Sequence, residues 1–388
     1  MIIRNAQVFC EDGKFRFLDV VFDSRILSVE PAQDREEVRE DSAQILDGTG
    51  LFLLPGLIDI HIHGSAGVEA DRTDVQGLHR MARYLASRGT TAFCPASMTL
   101  PAEELLRFAE AVRDFSCEAG EAYLAGLYLE GPFLSEQRPG SHKSAYIRRP
   151  DPALWEKIET ASGHRVRFVT VAPETPGAGQ LIRAAAPCST VCIGHTVCDY
   201  DEAVSAIEAG ASQLTHLFNA MPELQHRAPG PAGAAMDRAI RAELICDGIH
   251  VHPSAVRAAF RMFPGRILLI SDALLCAGLA DGEYVSGGQT VILKEGRATL
   301  PDGTLAGSVL TMADALRNAV RFGIPLEEAA AAASAIPAQA LGIYGSRGCI
   351  RPGAEADLVL MDRDLRVRYV FLQGRQISRG VCDCGRME

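Results

Sequence analysis

The stretch PGLIDIHIHG, residues 55–64, ends an apolar run with two histidines, His61 and His63, spaced two apart. On a strand, side chains at i and i+2 share a face, so both imidazoles would point the same way. That arrangement suits a metal ion. Taken alone, it also fits the polar end of any strand, and the surrounding chain has to decide.

Outward from this stretch, β-rich apolar runs recur: LIDIHIHG (57–64), TTAFCPA (90–96), LAGLYLEGPF (124–133), RFVTVAPE (167–174), TVCIGHT (190–196), QLTHLFN (213–219), ELICDGIH (243–250) and RILLISDA (266–273). Between them lie helix-like segments such as DVQGLHRMARYLASRG (74–89), PAEELLRFAEAVRDF (101–115) and DEAVSAIEAG (201–210). Strand–helix alternation implies a parallel sheet, and eight such units predict an α/β fold, a closed (β/α)8 TIM-like barrel. The alanine-rich LEEAAAAASA (326–335) reads as a further packed helix. Both ends of the chain differ in style. MIIRNAQVFC, FLDVVFD, RILSVE and AQILDGTG at the start, and ADLVLMDRD, VRYVFLQG and RQI near the end, are short strands punctuated by turns such as Asp12-Gly13 and Asp47-Gly48. They predict a small composite β-sandwich domain from residues 1–53 and 345–388, around a barrel spanning 54–344.

In such barrels the chemistry sits at the C-terminal strand ends. Six of the eight ends carry a metal-ligand or acid/base type: His61 and His63, Glu130, His195, His216, His250 and Asp272. One could be accidental; six in phase with the strands are not. Glu130, His195 and His216 could hold one divalent ion with an open position for water. His61 and His63 could hold a second, with Glu130 bridging. Asp272 would then take the water's proton and pass it to a leaving group, a combination that fits hydrolysis of an amide or ester. Cys192 and Cys198, which flank His195, read as small apolar residues, and His79 and His164 as ordinary helix or surface residues.

The 388 residues are 47% apolar, enough for a sizeable core, and carry a formal charge of −11. That balance argues against nucleic acid and anionic membrane as main partners. Eleven cysteines fall in no repeated CxxC pattern, and the N-terminus shows no secretory pattern, so reduced thiols and a cytoplasmic location are expected.

The whole chain resembles the amidohydrolase superfamily and, within it, the N-acetylglucosamine-6-phosphate deacetylase family. The resemblance rests on PGLIDIHIHG, LEGPF with GSHK, IGHT, THLFNAM, HRAPG, DGIH, SDA, LAGS with TMADALRN, and PGAEADLVLMD, in the order that family uses. Relatives with a carboxylated lysine near the end of strand four are set apart, because strand four here ends VTVAPE. The resemblance implies an amino-sugar phosphate substrate, cleaved to the free amine and acetate. It implies that Glu130, His195 and His216 hold a zinc or iron ion, with His61 and His63 permitting a second, and that Asp272 acts as base and then acid. His142 would polarise the acetyl carbonyl beside Ser141. Asn219, Ala220, Arg227 and His250 would position the sugar phosphate, and Leu305, Ala306 and Gly307 would border the sugar. Arg227 would arrive from the neighbouring subunit of a homodimer. The segment SDALLCAG (271–278) is bulkier than the family's usual version, which leaves the choice between glucosamine and galactosamine isomers open.

Overall fold

The computed structural model describes residues 1–32 and 44–379. All eight predicted central runs form strands: β1 Leu57–Ile62, β2 Thr90–Pro95, β3 Leu127–Leu129, β4 Val166–Val171, β5 Thr190–Ile193, β6 Ala211–Leu214, β7 Arg241–Ile245 and β8 Ile267–Ile270. Helices alternate with them, among them α1 Val75–Ser87, α2 Ala102–Asp114, α3 Pro152–Ala161, α4 Ala178–Ala185, α5 Tyr200–Ala209, α6 Gly230–Asp237, α7 Pro253–Met262 and α8 Met312–Arg321. Strands β3 to β8 form one parallel sheet in sequence order, and β1 and β2 form a second with Tyr123–Leu124. Backbone hydrogen bonds join the two sheets at both edges. Ser97 N donates to Tyr128 O (3.0 Å) at one, and Asp272 N to His61 O and His63 N to Ala273 O (both 2.9 Å) at the other.

Strand β1 is buried along its whole length, as expected of a parallel strand covered on both faces. Its alternation sorts two chemistries. Ile58, Ile60 and Ile62 join the apolar core, whereas Asp59 and His61, and His63 just beyond, share the other face. Asp59 is itself a seam: it accepts from Ser271 N (3.2 Å) and Ser271 Oγ (2.5 Å) beyond β8. Burial pushes its carboxyl up to about 6 against these hydrogen bonds.

Strands from both ends of the chain pair in one eight-stranded sheet. Leu358–Met361 pairs antiparallel with Phe52–Pro55, which pairs parallel with Ile2–Phe9. Phe22 and Phe371 lie on strands four places apart, which in a flat sheet is roughly 19 Å. Their ring centroids are 5.4 Å apart, so the sheet curls until its halves face each other over Ile3, Val8, Leu53 and Leu360. The alanine run forms helix Leu326–Ala333, with Ala329, Ala330, Ala332 and Ala333 buried. One element went unforeseen: an antiparallel three-stranded sheet, Gly282–Ser286, Gln289–Lys294 and Arg297–Thr299, inserted after β8. Among the described residues no helix is long and apolar enough to cross a membrane. The described cysteines are free thiols; Cys382 and Cys384 lie outside the described residues.

Candidate active site

Glu130, the first residue after β3, is almost fully buried and stands at the centre of five imidazoles. Its Oε1 lies 2.9 Å from His216 Nε2 and 3.3 Å from His195 Nε2. Its Oε2 lies 3.0 Å from His63 Nε2, 3.1 Å from His142 Nε2 and 3.4 Å from His61 Nε2. Burial would keep this carboxyl protonated, but the surrounding rings, His61 and His142 foremost, hold it well below the usual range.

Three strand ends share one device. His195, His216 and Asp272 each stand two residues beyond the end of β5, β6 and β8, and each has left-handed backbone, with φ of +46°, +25° and +48°. Such conformations cost about 1–3 kcal/mol in a residue with a Cβ and persist where the surroundings over-determine them. Their repetition at one offset bends the chain at the same height on the rim.

The ligand atoms fit cations. His195 and His216 bring their Nε2 atoms within 3.0 Å, and His61 and His63 theirs within 3.3 Å. Donors around a tetrahedral ion with bonds of about 2.0–2.1 Å would stand roughly 3.3–3.4 Å apart. Two groups of mutually close ligand atoms result, Glu130–His195–His216 and His61–His63–Glu130, sharing the carboxylate. Burial opposes charge on His63, but hydrogen bonds to Asp272 (3.2 Å) and Glu130 override it and raise the ring to about 9. The same contest ends the same way for His61 and His216. The surroundings thus favour positive charge at the points where an ion would sit.

The remaining site residues are oriented by partners remote in sequence. His195 Nδ1 donates to Arg138 O (2.9 Å), which turns Nε2 inward. Thr99 N–H donates to His142 Nδ1 (3.0 Å), so in the neutral ring the proton sits on Nε2, toward Glu130. Burial keeps that ring neutral, lowering it to about 4. Asp272 stays ionised: burial would raise it, but His63 and His61 lower it to about 2.

A cleft of about 400 Å³ opens over these groups. His63, Glu130, Ser141, His142, His195, His216, Asn219, Ala220, His250, Asp272, Leu305, Ala306 and Gly307 all line it, so most of the anticipated residues meet at one place. His61 lies beneath, with no exposed surface. The loop over the cleft needs Gly140, whose φ is +58° and whose Cβ would come within 2.9 Å of His195 Cε1. Arg227 is exposed and does not line the cleft of its own chain. His250 differs from expectation in its bonding. Nδ1 meets Asp247 Oδ2 (2.6 Å) and Nε2 meets the Ala306 carbonyl (2.7 Å), so in this arrangement it pins the 305–307 wall.

Sequence reasoning missed several supports. Glu243, Tyr128 and Gln213 form a buried polar group beneath His61. A carboxylate inside the apolar run AELI was the available signal. Gln289, on the unforeseen sheet, donates to Ser141 O (2.6 Å) and steadies that loop. His79 lies on α1, as the helix reading expected, but it is not a surface residue: it is buried against Glu121 (2.8 Å), and Arg83 already supplies the cation beside that pair. His164 is exposed, as expected. Cys192 and Cys198 are buried, and burial pushes both thiols up, so neither presents a thiolate.

Comparisons place this geometry among known proteins. Residues 52–377 match the amidohydrolase family. The N-acetylglucosamine-6-phosphate deacetylase of Lysinibacillus sphaericus is 37% identical over 381 residues, 97% of this chain and 97% of that protein. The N-acetylgalactosamine-6-phosphate deacetylase of Escherichia coli O157:H7 is 35% identical over 388 residues, covering 97% and 99%. Among solved structures, an aspartate-to-alanine mutant of the Mycobacterium smegmatis N-acetyl-D-glucosamine-6-phosphate deacetylase, in complex with N-acetyl-D-glucosamine 6-phosphate, superposes with a TM-score of 0.88. It is 32% identical and covers 97% of this chain and 99% of that one.

Proposed function

This chain belongs to the amidohydrolase family, and on that premise we propose how its site works as a deacetylase. It hydrolyses the N-acetyl group of N-acetyl-D-glucosamine 6-phosphate to D-glucosamine 6-phosphate and acetate, in amino-sugar metabolism. The observation that carries this is the near-complete, two-way coverage of the Lysinibacillus relative. The chain reads as a closed (β/α)8 barrel over 54–344, with a composite β-domain from 1–53 and 345–388, in the cytoplasm.

Glu130, His195 and His216 would hold the principal divalent ion, zinc or iron by donor type, and His61, His63 and Glu130 would hold a second. A bound divalent ion lowers the pKa of water toward about 7 and polarises a carbonyl. Asp272 Oδ1 accepts the proton of the attacking water and later delivers it to the departing amine nitrogen. His142 Nε2–H donates to the acetyl oxygen as negative charge grows there; its neutral state and fixed tautomer support that role. Ser141 and Leu305–Gly307 border the sugar, Asn219 and Ala220 its phosphate side, and His250 holds the 305–307 wall through the Ala306 carbonyl. The test is acetate release from the glucosamine and galactosamine substrates, with and without chelator. The glucosamine isomer should dominate, and chelation should abolish turnover. Turnover untouched by prolonged chelation would sink the metal assignment. Dominance of the other isomer would shift the reading toward the Escherichia coli relative.

Arg227 reads the phosphate of a neighbouring copy's substrate in a homodimer; its exposure outside its own cleft supports this. A guanidinium grips phosphate oxygens in a bidentate way. Arg227→Ala should therefore raise KM for the phosphorylated sugar by about 2 kcal/mol, or ~30-fold. The unphosphorylated sugar should be poor for both proteins and little changed. Mixing Arg227→Ala chains with Asp272→Asn chains should restore some activity. An equal loss on both substrates would mean that Arg227 supports its loop and does not read phosphate.

A further inference from the structure

Glu243 is on β7 with no exposed surface, and every close partner it has is a donor. Its Oε1 accepts from Tyr128 Oη (3.0 Å) and Gln213 Nε2 (2.7 Å). Its Oε2 accepts from His61 Nδ1 (2.9 Å) and the backbone N–H of His216 (3.2 Å). A buried carboxylate with any of these missing would be costly, so the set is held together tightly. The last two contacts carry a consequence for the site. His61 belongs to one candidate ligand group and His216 to the other. Because Tyr128, Gln213 and the His216 N–H all donate to this carboxylate, it accepts from His61 as well, which places the proton of neutral His61 on Nδ1 and leaves the Nε2 lone pair facing Glu130 and His63. Tyr128 adds a second restraint, its ring stacked on His61 with centroids 4.2 Å apart.

We infer that Glu243 is the positioning residue that makes His61 an ion ligand, and that this one carboxylate sets the affinity of the second ion while tying it to the strand end that bears His216. The inference rests on the two-ion reading above. It does not follow from proximity alone, because Gln at this position keeps the shape and removes the charge. Loss of such an outer partner typically costs 10–100-fold in metal affinity. In Glu243→Gln, the second ion should therefore be lost to a competing chelator about 10–100-fold more readily, while the first is retained. Elemental analysis of zinc-loaded holoenzyme and the visible spectrum of its cobalt form would read this without reference to activity. In a His61→Asn background, Glu243→Gln should add no further loss at the second site. Should Glu243→Gln not fold, Tyr128→Phe keeps the stacked ring, removes one donor to Glu243, and should weaken the second ion in the same direction. Wild-type affinities in the variants, or an equal further loss without His61, overturn the inference. A wild type that loads only one ion overturns it too and leaves the deacetylase reading standing. A wild type that takes up no divalent ion sinks the metal reading as well.

Discussion

Glu130→Gln is expected to strip the protein of both ions and reduce turnover by on the order of 10³ or more, several kcal/mol of charge stabilisation. The reason lies in how the carboxylate is shared. Oε1 faces the His195–His216 pair and Oε2 the His61–His63 pair, so a single amide substitution touches both ligand groups. It removes a charge that five buried rings surround, and it turns an NH2 toward nitrogens that must present lone pairs. His195→Asn should also abolish turnover, because it removes a member of the proposed principal ligand group. The contrasting variant is His61→Asn with His63→Asn. That change leaves Glu130, His195 and His216 intact, so one ion should remain per chain. Elemental analysis of each purified variant, beside acetate release, separates the cases. A double histidine variant with no metal at all would show that the two ligand groups have been wrongly divided.

The contrast between what sequence revealed and what it hid has a physical basis. Parallel strands covered on both faces are apolar along their length, so β1 to β8 stood out as runs, and a carboxylate or imidazole at six of the eight ends was conspicuous. The late sheet, 282–299, is half exposed and alternates weakly. Its signals were only the Gly287-Gly288 turn, with φ of +59° and +73°, and the Glu295-Gly296 turn. What makes it matter is docking: Ser286 Oγ donates to Glu69 (3.0 Å) and Gln289 to Ser141, contacts 217 and 148 residues apart. No local pattern encodes those.

The same distinction divides the site. The candidate ligands were legible because the strand ends place them, and strand ends can be counted. Their supports were not, because each support is a nonlocal bond. Thr99 sets the tautomer of His142 from 43 residues away, and Glu243 holds His61 from 182. For His250, the strand-end position marked a ligand or acid/base type and the family resemblance implied a role in positioning the sugar phosphate; here Asp247 and the Ala306 carbonyl occupy both ring nitrogens. The argument that singled out Glu130, a carboxylate unaffordable in an apolar strand without partners, applies with equal force to Glu243.

Asp272→Asn is expected to lower kcat by on the order of 10² or more, the lower range for losing a positioned acid–base group, with KM little changed. The substitution is close to a pure test of proton transfer. Asp272 sits in left-handed backbone, φ +48°, a conformation that Asn tolerates about as well as Asp. Its backbone bonds, N–H to His61 O (2.9 Å) and carbonyl from Ser308 N (2.7 Å), do not depend on the side chain. Gly307 packs so closely on that carbonyl that a Cβ there could not be accommodated, so the local frame is already rigid. Glu130, His195 and His216 are untouched, and the principal ion should stay. What disappears is the basic Oδ1 that now faces His63 Nε2 at 3.2 Å, the atom that would take a proton from water and return it to the amine. Measured together, kcat, KM and metal content distinguish this from a structural lesion: a fall in kcat alone supports proton transfer, and a parallel loss of ion points to ligation instead. Near-normal turnover in Asp272→Asn would remove this residue from the mechanism.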